Sequence, residues 1–551
     1  MVSRSPSLKH FNFRLSSRTT KVLIGLSTIT ALTTIAVKSD EGMQRSAKLF
    51  ARAAAPLVKY RFYDWYTSDW PIELRTAKFA KLHQQYAPVA VNTVMELQGF
   101  YIKLGQVVAG LDGQFPDEYV QAFKSCLNHC PSRDITQVME TIEQELGKPF
   151  SEVFAWIDPQ PLGSASIGQV HKAKLAGNGQ EVCIKVQHPT AERFFRVDVA
   201  ASKALTAIAQ PAQLPVYDEI EKNFQTEFDY TLEAQNLQEM RLAVESHSEF
   251  RHLIVVPKPL MYTKRVLIME YLKGETLQYK QREMLKQLAQ RENKTVEQLE
   301  LEIKQKLERG EALGPAPPSD GVMTMYRVAL RTRDYVRNTV CLTYNVAFGY
   351  LTGAPLQYEW TSLPLKSEAA LDTLYSFFGY MLFHHGLFSS DPHGGNILQL
   401  DEGNKLGLID MGQVKRLDMS TRLQFAKLVV ALANDCNRPE DTEQIAKLWR
   451  ECGYVTRNQM DLPAADCARY FFDRITKDVV EKYGGIELIA ENLEKADKLI
   501  KLPDDFVMPM RLSLLLRFNA MGLGRGLDGL KHSRVTPSWK PYAEEFIRRN
   551  S

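Results

Sequence analysis

Three polar residues in the last third of the chain, Asp391, Asn396 and Asp410, have the types and spacing to hold a divalent cation against phosphate oxygens. Asp391 and Asn396 bracket the run DPHGGN, and Asp410 follows in IDMG after one apolar run, a polar turn and a second apolar run. Carboxylate and amide oxygens are hard ligands suited to Mg2+. A carboxylate beside them can orient an acceptor hydroxyl or take its proton. A single aspartate is a common turn or cap residue; two such runs at this separation specify more. In that arrangement Asp410 is the main metal ligand, Asn396 the second, and Asp391 the base or acceptor-orienting group. The chemistry is phosphoryl transfer, in which a protein contributes chiefly positioning and electrostatic stabilisation.

Further parts of a nucleotide site lie upstream. In the run VCIK, Lys185 has apolar neighbours on either side, and a lysine among buried groups is costly unless paired. Its partners would be the α and β phosphates of ATP and a glutamate on the following helix. The run EFDYTLEA offers Glu227 and Glu233, and both stand open on the residues alone. Ahead of the lysine, Gly163, Ser164, Ala165, Ser166 and Gly168 form a small-residue loop whose backbone amides can approach a phosphate closely. Gly168 precedes Lys185 by 17 residues, the distance of a loop covering a nucleotide. After the apolar run VLIM, the hinge from Glu270 to Leu272 would receive the adenine edge.

These residues need two lobes to position them. VHKAKL, a turn with Asn178 and Gly179, and EVCIKV read as a hairpin, because Asn-Gly supplies the positive φ of a tight turn. A helical stretch to about residue 247 and strands at 253–256 and 265–272 complete a small kinase-like lobe. Residues 396–410 read as a second hairpin inside a helical lobe running from Glu368 to the end. The fold class is α+β, a protein-kinase-like two-lobe fold with an N-terminal helical extension and a long insertion between hinge and catalytic lobe. The expected units are 41–150 (helical extension), 151–275 (small lobe), 276–368 (insertion) and 369–551 (helical lobe), preceded by 1–40. In the insertion, 282–308 reads as a solvated charged helix, GPAPPSD as a linker, and Met323–Leu351 as one or two packed helices.

Composition bounds the rest. With 551 residues, 44% hydrophobic and 24% charged, the chain is globular and multi-domain, which excludes a disordered, collagenous or disulfide-stapled protein. Sixty-eight basic against 65 acidic residues argues against nucleic acid as a partner. Arg4, Lys9, Arg14, Arg18, Lys21 and Lys38 precede the first acid, Asp40. An acid-free cationic start of this kind reads as a mitochondrial import sequence, with a plastid address or an unimported disordered tail as the alternatives. Residues 22–37 are uncharged and would extend about 24 Å as a helix at 1.5 Å per residue, either a membrane anchor or part of a removed presequence. Tyr60, Phe62, Tyr63, Trp65, Tyr66 and Trp70 cluster downstream, and a packed helix face is the preferred reading over a membrane interface. The seven cysteines are odd in number and scattered, consistent with reduced, structural thiols.

Together with Lys103-Leu-Gly-Gln106, these motifs resemble the UbiB-like atypical kinases, the aarF-domain-containing kinases, in the family's order from about Leu97 to Gly526. The resemblance implies that the helical extension carries Lys103 and Gln106 across the nucleotide site and contacts Glu227 and Asp229, leaving Glu233 to pair with Lys185. It implies an ATP- and Mg2+-binding kinase or ATPase acting on or regulated by a small or lipid-like molecule, tied to isoprenoid-quinone or mitochondrial lipid metabolism and associated with a membrane. A protein serine/threonine kinase and a nucleotide-binding pseudokinase scaffold are the alternatives. Ser389 stands where the family usually has histidine, and Gly394 where it has proline, which would free φ in the loop. Gly163 and Ser164 replace alanines of the loop that tunes nucleotide preference in the family.

Overall fold

The structure, a computed structural model, describes residues 40–109, 116–125, 132–165, 167–209, 221, 226–308, 318–349, 351, 353–361, 363–400, 405–485, 489–526 and 531–550. The import-like start, the apolar run 22–37, Cys126, Cys130 and Ser166 lie outside these residues. Among the described residues no helix is long and apolar enough to cross a membrane, and Cys183, Cys341, Cys436, Cys452 and Cys467 are free thiols.

The chain begins with helices α1 (Glu41–Tyr66), α2 (Ile72–Leu97), α3 (Phe100–Ala109), α4 (Asp117–Phe123) and α5 (Ile135–Leu146). The small lobe follows: β1 (Phe154–Ile157), β2 (Gly163–Ser164), β3 (Gly168–Leu175), β4 (Glu181–Gln187), α6 (Ala191–Ala209), α7 (Tyr230–Ser246), β5 (Ile254–Val255), β6 (Pro259–Tyr262) and β7 (Val266–Glu270). Its antiparallel sheet runs β1-β3-β4-β7-β6, with β2 paired to β3. Strand alternation splits β4. Val182, Ile184 and Val186 join Val138 and Ile142 of α5 in one core, while Cys183 joins α7 residues in another, so Lys185 shares the α7 side of the sheet.

The expected strand at 253–256 is not part of this sheet. Ile254–Val255 pairs in parallel with a strand of the other lobe, and β6 takes the place beside β7. Both runs are short and apolar, and long-range pairing decides between them.

Beyond β8 (Gly274–Thr276) come α8 (Leu277–Arg291), α9 (Val296–Glu308), α10 (Asp320–Tyr344) and α11 (Ser367–Tyr380), then β9 (Leu387–Ser389), β10 (Ile397–Leu400), β11 (Leu406–Leu408) and β12 (Val414–Arg416). The chain ends with α12 (Met419–Ala433), α13 (Pro439–Glu451), α14 (Asp461–Phe472), α15 (Asp504–Gly522) and α16 (Thr536–Asn550), with shorter elements between α14 and α15. A second sheet runs β5-β11-β10-β8, and β9 pairs with β12. Fully buried Phe425, Trp449, Phe472, Phe506 and Trp539 centre the helical lobe. The fold is therefore α+β and of the protein-kinase-like two-lobe type.

One expectation about the stretch 276–368 changes. Ahead of the charged run 282–308, the first turns of α8 meet the helical lobe: the Gln278 amide donates to Gly394 O (3.0 Å) in the catalytic loop, and Gln281 Nε2 donates to Asn519 O (3.2 Å) on α15. The apolar stretch from Met323 is not packed by its apolar side chains. The buried positions of α10 are Arg327, Asp334 and Asn338, and Asn345 continues that face. Asp334, Asn338 and Asn345 grip an extended strap, residues 353–361, through the backbones of Thr361, Glu359 and Leu356. Val328, Val336, Val340, Val346 and Phe348 are each 60% exposed or more. The aromatic cluster also divides. Tyr60 packs on Phe79, His83 and Tyr86 of α2, whereas Phe62, Trp65, Tyr66 and Trp70 are exposed.

Candidate functional site

β4 carries Lys185 into the interior beside α7, whose first turn is capped by Asp229 accepting from the Thr231 amide (2.9 Å). One turn on, Glu233 points inward and is 4% exposed. Lys185 Nζ donates to both Glu233 carboxylate oxygens, at 2.7 and 2.9 Å, and to Asp410 Oδ2 at 3.1 Å. Glu233, not Glu227, is thus the lysine's partner. Asp410 reaches this point because β10 and β11 form the expected hairpin, and the Gly412 amide holds its Oδ1 at 2.8 Å.

The electrostatics of this trio follow from burial and charge. Burial alone would lower the Lys185 pKa, and the carboxylates of Asp410 and Glu233 outweigh it, holding the ammonium well above its usual value. Burial lifts Glu233 to about 7 against the pull of Lys185, with Asp410 adding to the lift. Asp410 stays below its ordinary value although burial opposes this, because Lys185 and the Gly412 amide stabilise its charge. One buried cation is therefore shared by two carboxyl groups of unequal acidity.

Around the trio is a cavity of about 650 Å³, within the ~300–1,000 Å³ of small-molecule sites. Gly163, Ser164, Ala165 and Gly168 line one side, Glu270 and Leu272 the hinge end, and Asp391 and Asn396 the floor. Ser166 lies outside the described residues. A Cβ on Gly168 would sit 2.5 Å from Val186 O and 2.9 Å from the Tyr230 hydroxyl, so this loop position admits only glycine. At Gly163 nothing lies within 4 Å of such a Cβ. Glu270's carboxylate accepts from the Lys258 amide (2.9 Å) and from Arg241 (3.3 Å), which pins the side chain and leaves the hinge to act through its backbone.

The catalytic loop is braced from several directions. Asn396 Nδ2 donates to Asp391 O (3.2 Å), Asn519 Nδ2 to Pro392 O (2.8 Å), and the Asp391 amide to Ser389 Oγ (3.4 Å). Buried Ser389 therefore keeps a contact to the loop where an imidazole was expected. Gly394 does not serve φ freedom, since its φ is not positive. A Cβ there would lie 3.0 Å from the Gln278 amide and 3.2 Å from Asn519 Oδ1, so the glycine permits α8 to approach.

The helical extension reaches the same cavity. Phe100 and Phe195 pack edge to face, Phe195 meets Phe228, and Ile167 of the small-residue loop joins this cluster. Lys103 Nζ lies 3.8 Å from Glu227 Oε1, and Gln106 lines the wall with Lys103, Glu227 and Asp229. Two residues that motif reading missed complete a polar chain. Gln413 Nε2 donates to Glu227 Oε1 (2.9 Å), Arg511 Nη1 to Gln413 Oε1 (2.9 Å), and Arg511 Nη2 to Asp391 Oδ1 (2.7 Å). The only local signal is a glutamine just after IDMG; Arg511 stands in a helix 120 residues from its partner.

Comparison with known proteins agrees with this geometry. The ABC1 atypical kinase-like domain matches residues 125–308 and 347–447, more than half of the chain, and omits the stretch between them. AarF domain-containing protein kinase 1 of Xenopus laevis is 30% identical over 247 residues, 43% of this chain and 46% of the relative. An uncharacterized aarF domain-containing protein kinase of Arabidopsis thaliana, described as chloroplastic, is 31% identical over 202 residues, 35% of this chain and 37% of the relative. The matches thus span less than half the length of these relatives. A Mycobacterium tuberculosis protein solved in complex with erythromycin aligns over 86% of this chain and 98% of its own, at 18% identity and a TM-score of 0.43, a likeness that adds nothing to the fold derived above. With the small-residue loop, the Lys185–Glu233 pair and the two loops of the helical lobe all within the matched residues, the chain belongs to the ABC1 atypical kinase-like family, the UbiB-like or aarF-domain kinases.

Proposed function

We propose that the chain binds Mg-ATP between its lobes and either hydrolyses it or transfers the γ-phosphoryl group to a small or lipid-like acceptor. The observation that carries this reading is Lys185 held between Glu233 and Asp410 in a cavity edged by a glycine-bearing loop. Lys185 would contact the α and β phosphates, and the backbone at Glu270 to Leu272 would meet the adenine. The donor set fits Mg2+. Asp410 keeps its charge, and Asn396 uses its amide nitrogen on the Asp391 carbonyl, which leaves its oxygen for a hard cation. Bound there, the cation would neutralise charge on the phosphate oxygens. In the transfer, the acceptor oxygen forms a bond to the γ-phosphorus, the bond to the β–γ bridging oxygen breaks, ADP leaves, and Asp391 orients the acceptor or accepts its proton.

A small acceptor is favoured over a protein because Lys103 and Gln106 of the extension stand on the cavity wall, and the family likeness implies that such an extension obstructs a protein substrate. An isoprenoid-quinone or mitochondrial lipid connection, and association with a membrane, rest on the family likeness and on the basic, acid-free start of the chain. A nucleotide-binding scaffold without turnover has one observation in its favour, the Arg511 guanidinium on Asp391. ATP hydrolysis measured beside Asp391→Ala separates the two: turnover lost in the variant supports the enzyme, and no turnover in either supports the scaffold. Asp410→Asn should abolish the Mg-ATP-dependent rise in melting temperature, and an unchanged rise would show the metal ligand to be misassigned.

A further inference from the structure

A second cavity, of about 620 Å³, lies against the β8–β10 ribbon on the side away from the nucleotide cavity. Opposed pairs alternate across the ribbon. Leu398 and Thr276, paired in register, line the nucleotide cavity, while the next pair, Gln399 and Glu275, lines the second. Its outer wall is built by Arg327, Arg331 and Tyr335 of α10 and by Trp360 of the strap. Arg327, Arg331 and Tyr335 fall in the stretch that the family match omits, while Trp360 lies within the matched residues.

The lining is strongly one-signed. Lys273, Lys280, Arg327 and Arg331 face Glu275, the single carboxylate on the wall among the described residues. Glu275 pairs with Lys280. Asp334, behind Arg331 at 3.6 Å, is fully buried and engaged by the strap, and Asp320 lies near Arg327. Arg327 is only 8% exposed, and burial with the neighbouring Arg331 charge pushes its guanidinium below its usual value. Each of these cations has a partner nearby, and four of them converging on one concave wall against one lining carboxylate still draw an anion. A second observation is independent of charge. Gln399 is 6% exposed; its Nε2 donates to Leu363 O (3.2 Å), but its buried Oε1 has no hydrogen-bond partner among the described residues. A buried acceptor left unpaired costs about 1–3 kcal/mol, so this wall of the cavity is incompletely satisfied. The remaining wall is flat and apolar: Tyr335 meets Trp360 edge to face at 5.0 Å, and Arg331 lies 5.6 Å from the Trp360 ring.

We propose that this cavity binds an anionic ligand bearing a phosphate or carboxylate, with an apolar or planar part against Trp360 and Tyr335. The anionic group lies among Lys273, Arg327 and Arg331. A soluble phosphorylated metabolite and an anionic lipid headgroup share this chemistry. The exposed valines of α10 offer a path for an acyl chain in the second case. The site is independent of whether the neighbouring cavity turns over ATP.

The test uses the full chain, Mg-free, titrated calorimetrically with inorganic pyrophosphate and sedimented with phosphatidylcholine vesicles with or without phosphatidic acid. Lys273→Gln and Arg331→Gln should each weaken binding of at least one anionic probe fivefold or more, while Lys286→Gln, at an exposed lysine outside both cavities, leaves it within twofold. Lys273 is exposed, which keeps that variant informative if Arg331→Gln disturbs the strap. Sensitivity with pyrophosphate alone identifies a soluble ligand; sensitivity with phosphatidic acid vesicles identifies a headgroup. Binding lost only in Lys185→Met would place the anion in the nucleotide cavity and overturn the proposal. Absence of binding to both probes, or binding indifferent to Lys273 and Arg331, would overturn it too.

Discussion

Glu233→Gln tests the buried trio most directly, because the replacement keeps volume and removes one charge. Two costs oppose each other in the folded state. Losing a charge-assisted hydrogen bond to Lys185 destabilises by about 1.5–3 kcal/mol. Against this, burial, with the Asp410 charge adding to it, lifts the Glu233 pKa to about 7 despite the pull of Lys185, and the neutral amide carries neither penalty. The two nearly cancel, so stability without ligand should change by about 1 kcal/mol or less, a melting shift of about 4 °C at most. Ligand binding should change far more. Lys185 already lies 3.1 Å from Asp410, and without Glu233 its whole charge falls on that carboxylate, competing with the cation. Loosening such a pair costs about 2 kcal/mol, which predicts Mg-ADP affinity about 30-fold weaker, at ~1.4 kcal/mol per tenfold. Calorimetric titration with Mg-ADP beside thermal unfolding without ligand measures both. Affinity within twofold of the parent, or a fall in unliganded melting temperature beyond about 10 °C, would refute the division of labour between the two carboxylates.

Gly168→Ala places a Cβ 2.5 Å from the Val186 carbonyl; it should destabilise by about 1–3 kcal/mol and remove nucleotide-dependent stabilisation. Gly163→Ala, with open space around it, should leave unliganded stability unchanged, and equal melting temperatures for the two alanine variants would contradict the close-approach argument. His188 is pushed down to about 4, chiefly by burial, with Arg133 adding to it. The unfolded chain, with an ordinary value near 6.5, therefore takes up a proton that the folded one does not. This contribution is full above pH 6.5 and is lost as pH falls toward 4, about 1.4 kcal/mol per unit at most. Urea unfolding at pH 5 and 7 should show a smaller loss in His188→Gln than in the parent; an identical loss would exclude His188 as its source.

What could be read from the chain was what local pattern encodes. Strand alternation placed Lys185 among apolar neighbours, and the hairpin between Asn396 and Asp410 follows from two apolar runs and a polar turn. Choosing Glu233 over Glu227 needed the family likeness, because both precede or enter the same helix and only packing shows which faces β4. Pairing between distant segments was not legible: Ile254–Val255 and Pro259–Tyr262 differ little in pattern, and their sheets are set by partners more than a hundred residues apart in one case. The same holds for Arg511, whose partner Asp391 lies in another element. The orientation of α10 was misread because apolar residues were assumed to face inward. Arg327, Asp334, Asn338 and Asn345 mark its buried stripe instead.

That stripe has a thermodynamic corollary. Asn338 and Asn345 each bond in both directions to main-chain groups of the strap, a part of the grip that is indifferent to which side chains the strap carries. Parting the seam also uncovers little oily surface, and denaturant sensitivity and heat-capacity change both scale with surface newly wetted. Helix and strap should consequently come apart as their own unit, with a shallow urea dependence, before the two lobes unfold. Amide deuterium uptake across 320–344 at sub-denaturing urea should outpace that of 419–433, and equal protection of the two helices would mean the seam is held by more than its amides.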